Sequence, residues 1–297
     1  LDGVGLGDDN PEINPFAVAN TPTLDALAGG QKWLRDTPRG DSGRALFIPT
    51  DAQMGVPGRP QSATGQAVIL TGRNVPAEIG EHYGPRPTPE IRAILNEDNL
   101  FKQIRRHGGS ASFLSAFPPG FFHAVARGKR LPSSNQQAAL AAGVALGTEA
   151  DIYAGAAMSP DWTGEGWRNE LGYKDTPLYE RAEAGARLAQ LARQYEFSFF
   201  EHWITDTIGH RGPMERGVAV LELFDQVMAG LLDQWDDEQG LIIITSDHGN
   251  MEDLSHRHHT ENAVPTVVIG ADRHTFAANL TDLSGITPGV LRVVNGE

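Results

Sequence analysis

The stretch from Leu241 to Gly270, LIIITSDHGNMEDLSHRHHTENAVPTVVIG, constrains the fold of this chain more than any other. It opens with a continuous apolar run, Leu241 to Thr245, and closes with a second, Val264 to Ile269. A short unbroken apolar run bounded by polar residues and a glycine reads as a strand buried on both faces. That is the habit of parallel sheets. Between the two runs lie Asp247, His248, His256, His258 and His259. In open α/β sheets, ligands gather beyond the carboxyl ends of strands. An Asp-His pair at a strand end, with further imidazoles one loop later, therefore points to a metal site. Oxygen and nitrogen donors without sulfur suit zinc, manganese, iron or cobalt. The competing reading is a solvated histidine-rich loop.

The rest of the chain supplies further strand ends. LDGVGLGDD, Leu1 to Asp9, is glycine-rich and acidic, and would place Asp2 where a strand turns. The chain begins at Leu1, directly at this motif, so a strand upstream of it is expected. TPTLDALA from Thr21 reads as a helix start with Pro22 at its first position. Ala45 to Ile48 reads as a strand. Gln61 to Gly72, QSATGQAVILTG, reads as a turn into a helix. Ser62 stands at its N-terminus, where free N–H groups and the helix dipole favour anions; the plainer reading is a serine cap. Leu100 to His107 reads as helix, Ala111 to Phe117 as strand, and Asp151 to Ala156 as a strand or strand end. Trp162 to Lys174 reads as loop, Pro177 to Tyr195 as helix and Phe197 to Ile204 as strand. TDTIGH follows, with Asp206 and His210 four residues apart on one side of a helical turn. Val218 to Leu232 is an amphipathic helix.

Strands alternating with helices, with acidic and imidazole side chains at several strand ends, predict an α/β fold. The expected form is a doubly wound, mostly parallel sheet flanked by helices. The whole chain, 1–297, is expected to be one such domain. Residues 118–150 differ in character, with Phe121 and Phe122, a basic patch of Arg127, Lys129 and Arg130, and an alanine-rich run. They read as a short cap insertion able to supply cations to a substrate; a solvated basic loop plus helix is the alternative.

Composition narrows the partners. The chain has 24 Lys and Arg against 38 Asp and Glu, a net charge of −14. That argues against nucleic acid and anionic membranes. It contains no cysteine, which excludes disulfides and thiolate chemistry. No membrane-length apolar run or signal peptide is visible, so a cytoplasmic protein is the default expectation. Nothing in the sequence fixes the oligomeric state.

Taken together, DGVG at Asp2, ANTPTLDAL from Ala19, QSATGQ at Ser62, DTIGHRG at Asp206, SDHGN at Asp247 and HTENAVP at His259 resemble the alkaline phosphatase superfamily of two-metal phosphoryl-transfer enzymes. The likeness is to the branch holding cofactor-independent phosphoglycerate mutase and phosphopentomutase. The motifs come in that family's order over most of the chain. DIYAG from Asp151 also resembles a phosphopentomutase segment.

The resemblance implies two divalent ions, manganese or zinc. Asp206, His210 and His259 would hold one, and Asp2, Asp247 and His248 the other. Ser62 would be the nucleophile, with Thr64 as the alternative, passing through a phosphoenzyme on a small phosphorylated substrate. His256 and His258 would be neighbours rather than ligands. Two divalent ions against three aspartates leave the site at about +1, enough for an acidic protein to hold a phosphate. Two departures stand out. Gln66 stands where the mutases have histidine. The 144 positions from Ser62 to Asp206 leave little room for the large mutase cap. Hydrolysis is therefore the expected reaction, with a phosphomutase or a non-catalytic metal-binding relative as alternatives.

Overall fold

The computed structural model describes residues 1–296. Seven strands are formed: β1 (Gly40–Asp41), β2 (Ala45–Thr50), β3 (Ala111–Ala116), β4 (Leu146–Gly147), β5 (Phe197–Phe199), β6 (Ile242–Ile244) and β7 (Val264–Ile269). The backbone clusters into two compact units, each with one sheet. The protein is a mixed α/β fold containing a parallel sheet flanked by helices.

The first unit comprises residues 1–85, 203–225 and 236–296, and its sheet has the order β1-β2-β7-β6. All six residues of β7 are buried, as suits a strand with five β-branched side chains out of six. Pro265 can sit in this inner strand because β6 pairs only with Val267 to Ile269, so no β6 ladder bond is asked of residue 265. Threonines on three adjacent strand segments join across the sheet. The hydroxyl of Thr50 lies 2.8 Å from that of Thr266, which lies 3.0 Å from that of Thr245.

One directional expectation is corrected here. The run at Leu241 to Thr245 does not feed a parallel strand: β6 is antiparallel to β7, and β7 is antiparallel to β2. An unbroken apolar run reports burial on two faces and carries no information about direction. The direction is set by the loop after Asp247, which doubles back through an antiparallel bridge between Gly249 and Thr260.

The second unit comprises Arg86–His202 and Gln226–Trp235, so the helix Met214–Asp233 contributes to both units. Its sheet has the order β4-β3-β5 and is wholly parallel. Phe101, on the helix Leu100–Arg106, packs against Phe113, Phe197 and Phe199 with ring centroids 5.1–6.4 Å apart. Residues 118–150 belong to this unit and contribute β4 and the helices Pro119–Ala126 and Ser134–Ala141 to it.

Two local expectations fail in this unit. Asp151 to Ala156 is no strand but the end of a helix, Glu149–Ala154. Thr148 and Asp151 form a reciprocal capping box that starts it, and this local signal outweighs the strand propensity of Ile152 and Tyr153. The segment read as loop contains the short helix Glu165–Asn169, which buries Trp167.

Beyond β5 the second unit holds two buried titratable side chains. The Glu201 carboxylate accepts hydrogen bonds from Asn135 Nδ2 at 3.1 Å and Gln136 Nε2 at 2.9 Å. Burial raises its pKa, which these two bonds oppose. His202 donates from Nδ1 to the Pro160 carbonyl at 2.7 Å and stacks on Trp162 at 3.8 Å. Burial pushes its pKa down to about 3. Among the described residues, no helix is long and apolar enough to cross a membrane.

Candidate metal centre

The six proposed ligands come together in the first unit from four separate segments. Asp2 lies in the irregular opening segment, which is laced to the loop after β6. Val4 N donates to Ser246 Oγ at 3.0 Å, and Met251 N donates to the Gly3 carbonyl at 2.9 Å. Thr205 Oγ1 donates to the Asp2 carbonyl at 2.6 Å. Asp206 and His210 ride on the helix Ile204–Arg211, one turn apart. Asp247 and His248 follow β6, and His259 precedes β7.

Ser62 is the first residue of the helix Ser62–Thr71. Its Oγ lies 2.9 Å from His248 Nε2. The approach of this helix depends on Gly65, where an added Cβ would fall 2.4 Å from the Asp247 carbonyl oxygen. Any larger residue would lift the Ser62 helix away from the loop that carries Asp247 and His248. Thr64 is engaged elsewhere: its hydroxyl donates to the Gln61 carbonyl at 3.1 Å and accepts from Tyr83 N at 3.2 Å. Gln66 makes contacts of its own, donating from Nε2 to Asp247 Oδ2 at 3.1 Å and to Asp2 Oδ2 at 3.3 Å.

The three histidines share one orientation. His210 Nδ1 faces the Arg257 carbonyl at 2.9 Å, His259 Nδ1 the Pro60 carbonyl at 2.9 Å, and His248 Nδ1 the Gly249 carbonyl at 3.3 Å. A carbonyl partner keeps a proton on Nδ1, which leaves Nε2 as the atom able to serve as a ligand once it is unprotonated. All three Nε2 atoms point inward. His210 Nε2 and His259 Nε2 are 3.2 Å apart, and they lie 3.4 and 3.5 Å from the Asp206 carboxylate. His248 Nε2 lies 3.2 Å from Asp2 Oδ1 and 3.8 Å from Asp247 Oδ2. The His248 and His259 rings stack at 3.8 Å.

Two lone pairs facing each other at 3.2 Å repel unless a proton or a cation lies between them. Carbonyl-oriented imidazoles converging on carboxylates are also how proteins present histidine to a metal. Asp2 Oδ1 is buried without a hydrogen bond, despite its nearness to His248. This donor set fits divalent cations. Asp2, Asp247 and His248 offer ligand atoms within 4.8 Å of one another, and so do Asp206, His248 and His259. His248 thus borders both groupings, and His210 adjoins the second through His259 and Asp206.

Electrostatics point the same way. Burial, and then the Asp247 charge, push the Asp2 carboxyl up to about 7. Burial alone would lower His248, yet Asp247, Asp2 and Asp206 push it up to about 10. Burial and the neighbouring His248 push His259 down to about 4. A buried cluster that retains protons on an aspartate and a histidine is one that lacks positive charge.

Not every proposed residue joins the cluster. His256 pairs with Asp253 at 3.5 Å, and His258 N donates to His256 Nδ1 at 3.3 Å; both rings lie outside the two groupings. Arg127, Lys129 and Arg130 lie in the second unit, with the Arg130 guanidinium 5.0 Å over the Phe121 ring. Two residues escaped the sequence reading. Asn250 donates from Nδ2 to Asp206 Oδ1 at 2.6 Å, and Glu252 is a buried carboxylate at the back of the cluster. Their signal was position alone: both fall within five residues of Asp247.

Residues 167–295, somewhat under half of the chain, match the model of the Metalloenzyme superfamily. That part of the chain is thus similar to the Metalloenzyme superfamily. Among curated proteins, a 2,3-bisphosphoglycerate-independent phosphoglycerate mutase of Francisella philomiragia is 34% identical over 98 residues, 31% of this chain and 19% of the mutase. The enzyme of that name from Thiobacillus denitrificans is 28% identical over 110 residues, 35% of this chain and 21% of the mutase. The matched stretch therefore spans about a fifth of these relatives. Two solved structures share the fold along the whole chain. The PH0037 protein of Pyrococcus horikoshii has a TM-score of 0.58 at 14% identity, covering 100% of this chain and 96% of its own. The alkaline phosphatase of the Antarctic bacterium TAB5 has a TM-score of 0.53 at 13% identity, covering 100% and 96%.

Proposed function

We propose that this protein hydrolyses a small phosphorylated metabolite, using Ser62 as nucleophile and a pair of divalent ions, manganese or zinc. The observation that carries this reading is the convergence of three imidazole Nε2 atoms and three carboxylates beside the Ser62 hydroxyl, 2.9 Å from His248. Asp206, His210 and His259 would hold one ion; Asp2, Asp247 and His248 would hold the other. When bound, such ions lower the pKa of a nearby hydroxyl and neutralise charge at a phosphoryl group.

The chain's own residues divide the remaining work. Ser62 Oγ forms the new bond to phosphorus, the ester bond to the leaving oxygen breaks, and water later cleaves the phosphoserine to free Ser62 and inorganic phosphate. Ser62 opens its helix, so the positive end of the helix dipole favours the anionic substrate. Gln66 steadies the carboxylates of Asp2 and Asp247 by donating to both. Thr64 makes a poorer nucleophile because its hydroxyl is committed to backbone groups.

The homologous mutases favour one second reading, a phosphomutase. One experiment separates them. The manganese-loaded protein is incubated with an aryl phosphate, 3-phosphoglycerate and ribose 5-phosphate while free phosphate and isomer are both followed. Phosphate release that is abolished in Ser62→Ala, with metal content retained, is the expected result. Quantitative isomer formation without phosphate would establish the mutase. Undiminished turnover by Ser62→Ala would remove Ser62 from the mechanism.

A further inference from the structure

The geometry points to Glu252 as the positioning residue that ties the four ligand-bearing segments into one site, an inference that rests on the metal-centre reading above. Glu252 is 1% exposed. Its carboxylate accepts from Gly5 N at 2.9 Å, Asn250 N at 2.8 Å and Asn262 Nδ2 at 3.0 Å, and from the Thr260 hydroxyl. Gly5 lies three residues after Asp2, Asn250 two after His248, and Thr260 next to His259. Asn250 carries the connection onward through its 2.6 Å bond to Asp206 Oδ1. One carboxylate thus joins, directly or through Asn250, every segment that supplies a proposed ligand. None of those ligands is Glu252 itself.

The surroundings are shaped for this group. An added Cβ at Gly5 would fall 2.2 Å from Glu252 Oε1, and one at Gly249 would fall 2.3 Å from the same atom. All four contacts are donors, so only an acceptor at both oxygens satisfies them. Glutamine has the same shape but turns one oxygen into an N–H₂ group, which must oppose one pair of donors. The segments would then lose their common anchor while the core of each unit stays intact. Groups that orient metal ligands in this way typically govern metal affinity by 10–100-fold.

The test uses the full chain stripped of metal and titrated with Mn²⁺ alone, read by calorimetry and by the rise in Tm that the ion produces. Glu252→Gln should weaken Mn²⁺ binding by about 10–100-fold and shrink the ion-induced rise in Tm. Thr260→Val, which removes one donor and little volume, should weaken binding several-fold and decides the matter if Glu252→Gln does not fold. A purely structural glutamate would lower the Tm of the metal-free protein and leave the Mn²⁺ dissociation constants unchanged. Wild-type constants in the folded variants would overturn this inference alone. A wild-type protein that binds no Mn²⁺ would overturn the metal-centre reading and this inference with it.

Discussion

Replacing His202 with phenylalanine removes one titrating group from the second unit while keeping an aromatic ring against Trp162. The folded-state pKa of His202 is about 3, against 6.5 ordinarily, with burial as its main cause. Between those values the unfolded chain binds the proton and the folded chain does not. Stability from this residue is therefore complete above the unfolded value and is lost as pH falls toward 3. Integrating the linkage from pH 7 to pH 5 gives a loss of about 2 kcal/mol. That figure hardly depends on where below pH 4 the folded value lies, because the folded state stays unprotonated throughout.

His202→Phe loses this slope, and it also leaves the Pro160 carbonyl without its donor, at a cost of about 1–3 kcal/mol at pH 7. The variant should thus be less stable at pH 7, with the gap closing or vanishing by pH 5. Glu201 has a raised pKa and tilts stability the opposite way, yet it is present in both proteins and cancels in the difference. The assay is urea unfolding of the metal-free proteins across this range, followed by circular dichroism. A stability gap that stays constant with pH would refute the reasoning, since it would mean that His202 titrates alike in the folded and unfolded states.

Two further outcomes follow from the site. Loading metal at pH 7.5 should release at least one proton, because His248 is held up to about 10 and must give its proton up to become a ligand; calorimetry in buffers of different ionisation enthalpy counts that proton. Gly65→Ala should destabilise the protein by about 1–3 kcal/mol and lower turnover, since its Cβ would meet the Asp247 carbonyl; thermal unfolding and phosphate-release rates check both, and an unchanged rate would separate the Ser62 helix from the chemistry.

The legible part of this molecule was local chemistry. A run such as Val264–Ile269 announces burial, and motifs such as Asp206-to-His210 announce a helical turn, because both depend on neighbours in sequence. The direction of β6 was not legible, for it is decided by a loop whose return is fixed by the Gly249–Thr260 bridge. Asp151 misled because its side chain acts backward on Thr148, a capping role that strand propensity does not register. Glu252 was hidden for a related reason. A lone glutamate between a histidine-rich loop and a metal motif reads as one more surface charge, and only the folded chain shows four donors around it. Gln66 stood out in the sequence only as a departure from histidine, whereas in the fold its amide reaches two carboxylates.

The candidate site draws on both Asp2 and His259, and this bears on the order of events during synthesis. A ribosome adding about 5–20 residues each second needs roughly 15–50 s to travel from one to the other. For nearly all of that interval Gly3, Val4 and Gly5 lack the acceptors and donors they later use, which lie at residues 246 to 252. The second unit's parallel sheet, drawn from residues 111 to 199, has all of its strands in hand well before then. A ribosome stalled between residues 235 and 245 would carry that sheet complete and the opening segment still unanchored, so protease cleavage near Gly5 in such a stalled chain reports when the centre closes.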